Sequence, residues 1–381
     1  MKLTLVLGTR PQIIKSAPFI HLASKDREIQ LQIIHTGQHY DYEMTKVFFE
    51  QLDLPEPTAN LSIGSGTHAE QTGKIMLRLE KILQKERSDF VVVPGDTNST
   101  LAGALTAVKL GIPVAHVEAG ARSYDMTMPE EINRRLTDHC STLLFTPTNN
   151  CTKNLLKEGI SKAKIRRTGD TMYEVLEQQL PRAERTAALE RLGLEPKTYV
   201  LLTTHRPENV DNLEKLGNII EAAIKLNSLT IVFPAHPRTE KQLRKSGLYH
   251  KILKQKHIKF TKPLGYLEMI KLIKNAKLIL TDSGGMQKEA FWLKTPCLTL
   301  RDTTEWPETV KIGANVLVGT DPSKIIKNAL AILEKETKIK EKLERSGNPF
   351  WIGNASEKIL QAIKSFAEQK NLDDHTAARY L

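Results

Sequence analysis

Residues 2–11 read KLTLVLGTRP. The first six form a short, almost unbroken apolar run, as a strand buried on both faces does. The run stops at Gly8-Thr9-Arg10-Pro11. A glycine there lets backbone approach an anion, and proline suits the first position of a helix. Strand, glycine turn and helix start make the first half of a βα unit. The same stretch is too short and too abruptly broken to read as a signal peptide.

The unit recurs. Residues 31–35, 90–93, 113–117 and 143–145 are short and, for the most part, rich in β-branched residues, and longer amphipathic stretches such as 71–86 and 100–110 separate them. The pattern restarts with residues 199–203, 229–233, 258–260, 278–280 and 297–300. Two successive doubly wound parallel sheets are the simplest α/β architecture for this alternation, and a chain of 381 residues suits two cores. The boundary is expected near residues 167–173, before the polar stretch 177–197. That gives an N-terminal domain over 1–170 and a second over 171–355. The polar end, 371–381, is expected to fray.

Composition narrows the partners. Hydrophobic residues at 40% and charged residues at 26% are ordinary for a globular chain. A net charge of +11 favours a polyanionic partner. The lysines are scattered along helical stretches such as 245–262 and 324–342, with no basic tail and no RNA-binding aromatic motif. They read as a solvated surface, and no nucleic acid is expected. No run approaches the roughly 18 apolar residues of a membrane span. The cysteines, Cys140, Cys151 and Cys297, are odd in number and form no CxxC pair. A disulfide framework and a structural zinc are therefore not expected, and each thiol reads as a small core residue in a reducing cytoplasm. No His-Glu-x-x-His, compact metal-ligand spacing or Gly-x-Ser-x-Gly occurs, so neither a metal, a cofactor nor a serine nucleophile is expected.

In open parallel sheets, ligands bind beyond the carboxyl ends of the strands. The unusual clusters lie there. Arg10 and Lys15 follow the first strand and can face phosphate, although neither GxGxxG nor a P-loop is present. Asp96, in Pro94-Gly95-Asp96-Thr97, and Glu118, in His116-Val117-Glu118-Ala119-Gly120, put carboxylates just past two strand ends. Glu130 and Glu131 open a helix-like segment, 129–139, and Arg134 shares a helical face with Glu130. Converging acids can raise one another's pKa, which suits acid–base chemistry. The blander alternative has Asp96 capping a helix and Glu130 and Glu131 complementing its dipole.

In the second half, His205 and Arg206 follow a strand and can meet a pyrophosphate. His236-Pro237-Arg238 is a turn or part of a site wall. Ser283-Gly284-Gly285 offers free backbone N–H groups at a helix start, and Glu289, one turn further, can accept from ribose hydroxyls. Residues 301–308, RDTTEWPE, read as a further site loop or as a solvated one.

Six motifs, at 8–11, 95–97, 116–120, 129–134, 281–285 and 301–308, stand in the order and spacing of the non-hydrolysing UDP-N-acetylglucosamine 2-epimerases. The chain resembles that family over nearly its whole length. The resemblance implies a GT-B fold, two Rossmann-like doubly wound parallel-sheet domains facing across a cleft. It implies a last helix, about 356–381, packing back on the first domain. It implies reversible C2 epimerisation of UDP-GlcNAc to UDP-ManNAc, by UDP elimination to a 2-acetamidoglucal and re-addition. Asp96, Glu118 and Glu130 resemble the catalytic acids, and His205 the histidine that assists the leaving phosphate. Arg10, Lys15, Arg134, Ser283, Gly284, Gly285 and Glu289 resemble the UDP-binding set. Gln71 and His236 match parts of a second, allosteric site in bacterial members. A cytoplasmic homodimer with a UDP-sugar substrate and no membrane partner is implied as well.

Trp306 departs from the family, which has arginine there, and Met269 replaces an aromatic. Together with Gln12, residues 36–44 and Phe291-Trp292, Trp306 resembles a subgroup that epimerises UDP-2,3-diacetamido-2,3-dideoxy-glucuronate. The rival activities are a hydrolysing 2-epimerase, a GT-B glycosyltransferase and a non-catalytic nucleotide-sugar binder.

Overall fold

The computed structural model describes residues 1–38 and 42–377. Positions 39–41 of the 36–44 run and residues 378–381 of the polar end lie outside the described residues. Two parallel sheets organise the rest. The first holds β1 (Lys2–Leu7), β2 (Gln30–His35), β3 (Ala59–Asn60), β4 (Phe90–Pro94), β5 (Val114–Val117), β6 (Leu143–Thr146) and β7 (Ile165–Arg167). Their order across the sheet is β3-β2-β1-β4-β5-β6-β7. The second holds β8 (Tyr199–Thr203), β9 (Thr230–Pro234), β10 (Ile258–Thr261), β11 (Leu278–Thr281), β12 (Cys297–Thr299) and β13 (Asn315–Leu317), in the order β10-β9-β8-β11-β12-β13.

Every strand pairing described is parallel. Helices cover both faces of such sheets, which is why the strands are apolar without alternation. Every residue of β4, β5 and β8 is buried. Each sheet reverses its strand order once, between β1 and β4 and between β8 and β11. Loops leaving adjacent strands at such a point turn to opposite faces and leave a crevice. Each sheet by itself is Rossmann-like, as a GT-B fold requires.

The chain divides into two compact units, Met1–Val175 with Pro349–Leu381, and Leu176–Asn348. The division falls inside the helix Thr171–Glu184, a few residues past the 167–173 stretch. Local bonds account for the shift. Asp170 N–H donates to the Phe350 carbonyl at 2.9 Å, and Tyr173 packs on Trp351 at 5.0 Å between ring centroids. The Glu174 carboxylate receives the Ser356 N–H and hydroxyl. The last helix, Ala355–Ala377, packs on the helix Arg10–Lys25 in the first unit, and its Phe366 meets Phe90 edge-on at 5.7 Å. Much of the polar end expected to fray is thus helical.

The polar stretch 177–197 is also structured. It contains the end of the helix Thr171–Glu184 and the helix Ala188–Leu192, and it buries Leu189 and Leu194 in the second core. Strands β3, β7 and β13, of two or three residues, are too short to stand out as apolar runs. Cys151 and Cys297 are core residues as expected, whereas Cys140 is only half-buried.

Gly120 shows how tightly the first sheet's loops are held. Its φ is +79°, and a Cβ there would lie 2.4 Å from the Cys151 carbonyl oxygen. Overpacking and a left-handed backbone both penalise a side chain, so Gly120→Ala should cost about 3 kcal/mol. Urea denaturation checks this, and an unchanged midpoint would contradict the packing of this loop on the helix Asn149–Lys157.

Candidate active site

The first unit gathers its charged residues past β1, β4 and β5. The turn after β1 is held by one side chain. Gln12 Oε1 accepts from the N–H groups of Gly8 and Thr9 at 2.8 and 3.1 Å. Its amide donates to the Pro94 carbonyl at 2.8 Å and to Thr100 Oγ1 at 3.0 Å. The buried Gln12 thereby ties the loop after β1 to the loop after β4. Gly8 permits the close approach, since a Cβ there would fall 1.9 Å from Ser99 Oγ. Nothing in the sequence distinguished Gln12 as structural, because a glutamine in a helix's first turn is commonplace.

The expected acids are each seated differently. Lys15 Nζ lies 2.9 Å from Glu118 Oε1, with both side chains largely buried. Glu118 has φ +73°, an unusual left-handed conformation for a glutamate. Such strain persists only where its surroundings hold it, and it concentrates at functional sites. Asp96 Oδ2 receives Arg134 Nε at 3.0 Å and Nη2 at 2.6 Å, yet a quarter of the Asp96 side chain stays exposed at 26%. Asp96 does not cap the following helix, Asn98–Lys109. Thr97 does, its hydroxyl accepting from Thr100 N–H.

Glu130 and Glu131 also part ways. Glu131 is fully buried and accepts from Ser123 N–H at 2.9 Å, Arg134 Nη1 at 3.1 Å and Arg135 Nε at 3.1 Å. It is a structural hub rather than a dipole partner. Glu130 is half-buried in the same first turn of the helix Pro129–Cys140. Two of the residues expected to hold UDP, Lys15 and Arg134, are thus each ion-paired to an expected catalytic acid. Arg10 stacks on Phe48, 4.5 Å from the ring centroid. Gln71 is engaged on both sides of its amide, donating to the Gly64 carbonyl and accepting from Asn98 Nδ2, both at 2.9 Å.

Behind these side chains runs a buried charge network. His116 bridges Asp138 Oδ1 at 2.6 Å and the Gly95 carbonyl at 2.7 Å. Asp138 also meets Arg122 at 2.7 Å, and Arg122 forms a two-pronged pair with Glu158. Burial alone would push the Asp138 carboxyl up, but His116 and Arg122 hold it below the usual carboxylate range. The network anchors the Gly95 carbonyl just before Asp96.

The second unit places its candidates past β8 and β11. Asp282 is fully buried and accepts from Thr204 Oγ1 at 2.6 Å. The N–H groups of His205 and Arg206 donate to it at 3.1 Å and Asn209 Nδ2 at 3.2 Å, and the His205 ring Nδ1 lies 3.2 Å from it as an ion-pair contact. Burial opposes the charge, yet His205, Thr204 and the Arg206 N–H hold this carboxyl far below its ordinary value. Ser283 caps the helix Gly284–Trp292, and Glu289 is buried on that helix. Ser283, Gly284 and Gly285 therefore occupy the helix N-terminus, as the sequence suggested. His236 caps another helix, Pro237–Lys245, 6.0 Å between ring centroids from His205.

The loop at 301–308 is not a solvated one. Arg301 and Glu305 form a buried two-pronged pair at 3.0 and 2.9 Å. Trp306 is only 4% exposed, and Lys288 Nζ sits 4.1 Å from its ring centroid. A Cβ on Gly284 would lie 3.4 Å from Trp306 Nε1, so the tryptophan seats against the helix start. Among the described residues no cluster of three or more His, Cys, Asp or Glu could hold a metal ion, and no helix is long and apolar enough to cross a membrane.

Two doubly wound sheets with charged strand ends at their points of reversal define a GT-B protein of the nucleotide-sugar class. Comparison makes this particular. Residues 22–364 match the family model described as UDP-N-acetylglucosamine 2-epimerase. The chain is 51% identical over 369 residues to UDP-N-acetylglucosamine 2-epimerase of Methanocaldococcus jannaschii, covering 95% of this chain and 99% of that one. It is 42% identical over 368 residues to UDP-2,3-diacetamido-2,3-dideoxy-D-glucuronate 2-epimerase of Pseudomonas aeruginosa, covering 95% and 99%. The crystal structure of the M. jannaschii UDP-GlcNAc 2-epimerase in complex with UDP-GlcNAc and UDP matches at a TM-score of 0.89 and 51% identity, covering 96% of this chain and 100% of that one. This chain belongs to the UDP-N-acetylglucosamine 2-epimerase family and is an isomerase.

The buried carboxylates give stability a direction with pH. Asp138 and Asp282 have folded pKa values below their unfolded ones. Their contribution is complete above an unfolded value of about 4 and is lost progressively as pH falls from there towards the lower folded values. Glu174 runs the other way, burial raising its pKa, but it is a single group. The urea midpoint should therefore hold level from pH 8 to about 5.5 as far as these groups decide it, and fall below about pH 4.5. A midpoint that rises on acidification would contradict these assignments.

Proposed function

We propose that this chain interconverts UDP-GlcNAc and UDP-ManNAc by eliminating UDP to a 2-acetamidoglucal and adding it back. The C2 proton of the sugar has no neighbouring carbonyl to acidify it. Its removal must be coupled to departure of UDP from C1. A carboxylate takes the C2 proton, the C–H electron pair becomes the C1=C2 bond, and the C1–O pair leaves with UDP. Re-addition reverses the sequence, with the proton delivered to the opposite face. Two kinds of group are needed: carboxylates around C2, and donors for the charge on leaving UDP.

The observation that carries the reading is that Asp96 and Glu118 follow the ends of adjacent parallel strands, β4 and β5, each oriented by its own cation. In this reading Asp96, Glu118 and Glu130 supply the proton chemistry. His205 assists the leaving phosphate, and the N–H groups at Ser283, Gly284 and Gly285 receive the diphosphate. Arg10, Lys15 and Arg134 add positive charge, and Glu289 takes the ribose. Gln71 and His236 are assigned to a second UDP-sugar position, and the enzyme is taken to work as a cytoplasmic homodimer.

A second reading has UDP-2,3-diacetamido-2,3-dideoxy-glucuronate as substrate. The P. aeruginosa relative and the buried Trp306–Lys288 contact favour it. The higher identity to the M. jannaschii enzyme, 51% against 42%, supports UDP-GlcNAc. Turnover of the two nucleotides side by side decides: the first reading expects kcat/KM to favour UDP-GlcNAc, and a large advantage for the uronate overturns it.

Proton NMR of UDP-GlcNAc with the protein in D2O tests the reaction itself. Deuterium at C2 with a growing UDP-ManNAc signal is the expected outcome. Free UDP with free sugar would mean the hydrolysing reaction, and no change would move the assignment to the uronate and then to a transferase. Asp96→Asn and Glu118→Gln should each lower kcat by about 10²-fold or more. Unchanged turnover removes that acid from the chemistry.

A further inference from the structure

Asp282 has no place in the reaction as drawn, yet its carboxylate is the most heavily hydrogen-bonded group of the second unit's candidate site. It receives two backbone N–H groups, a hydroxyl and an amide from the segment just after β8. It also stands immediately before Ser283, the cap of the helix Gly284–Trp292. The fifth group facing it is Nδ1 of His205, at 3.2 Å. An ionised carboxylate can only accept. A ring nitrogen 3.2 Å from an ionised carboxylate is favoured with a proton rather than a lone pair towards it, and in the neutral ring the other nitrogen, Nε2, is then bare. His236, the ring beside it, takes the opposite form: its Nδ1 accepts from Arg238 N–H at 3.2 Å, so its own proton sits on Nε2.

We propose that Asp282 is a positioning residue that fixes the tautomer and orientation of His205, so that Nε2 is the nitrogen that exchanges a proton with the leaving phosphate. This rests on the epimerase reading above. As the C1–O bond breaks, the doubly protonated ring passes its Nε2 proton to a phosphate oxygen of UDP. The neutral Nδ1–H ring that remains is the form Asp282 stabilises. When UDP re-adds, the phosphate returns that proton to Nε2. No other reactant enters, and the C2 proton travels separately through the first unit's acids. The same carboxylate fixes the backbone before β11's helix and the loop after β8, so the histidine and the phosphate-binding turn are set by one group.

The test begins without turnover. In the uniformly 15N-labelled full chain at a pH where the ring is neutral, two-bond 1H–15N correlations report which nitrogen of each histidine is protonated, with His205→Gln assigning the signals. A protonated Nδ1 and bare Nε2 on His205 is expected. A protonated Nε2 with bare Nδ1, the form imidazole prefers in water, overturns the proposal. Asp282→Asn supplies the functional arm. An asparagine can turn its amide N–H groups to Nδ1, which should switch His205 to the Nε2–H form and lower kcat by about 10²- to 10⁴-fold. The same correlations on the folded variant separate this from general loosening of the turn: a lowered kcat with the His205 tautomer unchanged overturns the proposal. Wild-type kcat in a folded Asp282→Asn protein overturns the proposal. If circular dichroism shows that variant unfolded, the wild-type tautomer decides alone. If the wild type converts no UDP-GlcNAc, the epimerase reading fails while the tautomer still decides whether Asp282 sets His205.

Discussion

Everything at the strand ends depends on holding a crevice open at the point where a parallel sheet reverses its order. The loops there diverge, and their backbone groups would be left unpaired unless something reaches across. In the first unit a neutral amide does so: Gln12 takes two N–H groups from the β1 turn and gives its own to the Pro94 carbonyl and Thr100. In the second unit the ionised Asp282 links β11 to the loop after β8. The choice follows from what each loop presents. Gln12 faces both donors and acceptors, which only an amide satisfies. Asp282 faces donors alone, and a carboxylate answers them with two charged oxygens. Burying that charge costs several kcal/mol, which four hydrogen-bond donors and the His205 ring offset.

The two solutions have different chemical consequences. A neutral staple fixes geometry and leaves the local field to other residues. Around the first crevice that field comes from side-chain pairs, Lys15 with Glu118 and Arg134 with Asp96, and from the buried His116–Asp138–Arg122–Glu158 chain behind them. Such networks are weak evidence for stability, because desolvation consumes much of the attraction. They are strong constraints on position, because removing any member strands a buried charge. The strained φ of Glu118 belongs to the same economy of position: its loop is held by Gly120 against the Cys151 carbonyl and by Asp138 on the Gly120 N–H.

The strands and the loops that carry most candidate site residues were legible because their signals are local. An apolar run of four to six residues ending in glycine, a carboxylate or a histidine is visible without tertiary knowledge, and β1, β4, β5, β8 and β11 all have that form. What escaped was non-local. Gln12 and Asp282 look like ordinary polar residues until the loops they bridge are side by side. Glu130 and Glu131 are neighbours in sequence with the same chemistry, and only the helix's seating buries one and leaves the other half-open. The loop at 301–308 is dense in charge and reads as a site loop or a solvated one; that Arg301 and Glu305 neutralise one another and Trp306 follows them inside is not visible in the sequence. The blander alternative for Asp96, capping the helix, is set aside by one residue's difference in register, which gives the cap to Thr97.

The pairing of expected phosphate-binding cations with expected catalytic acids links the two halves of the proposed reaction. Lys15 holds Glu118, and Arg134 holds Asp96. A carboxylate that takes the C2 proton loses its charge, and its cation loses a partner. At that moment the C1–O bond is breaking and UDP is gaining charge. In that proposed reaction the released cation would interact more strongly with the leaving diphosphate than in the ground state, which is the condition for lowering a barrier rather than merely tightening binding. The same logic runs backwards on re-addition, when the acid regains its charge as the diphosphate gives up its own. A cation committed only to phosphate would respond to the charge that UDP gains. One shared with the base would respond as well to the charge the base loses, and that sharing is a reason for acid and cation to sit within 3 Å of each other at adjacent strand ends.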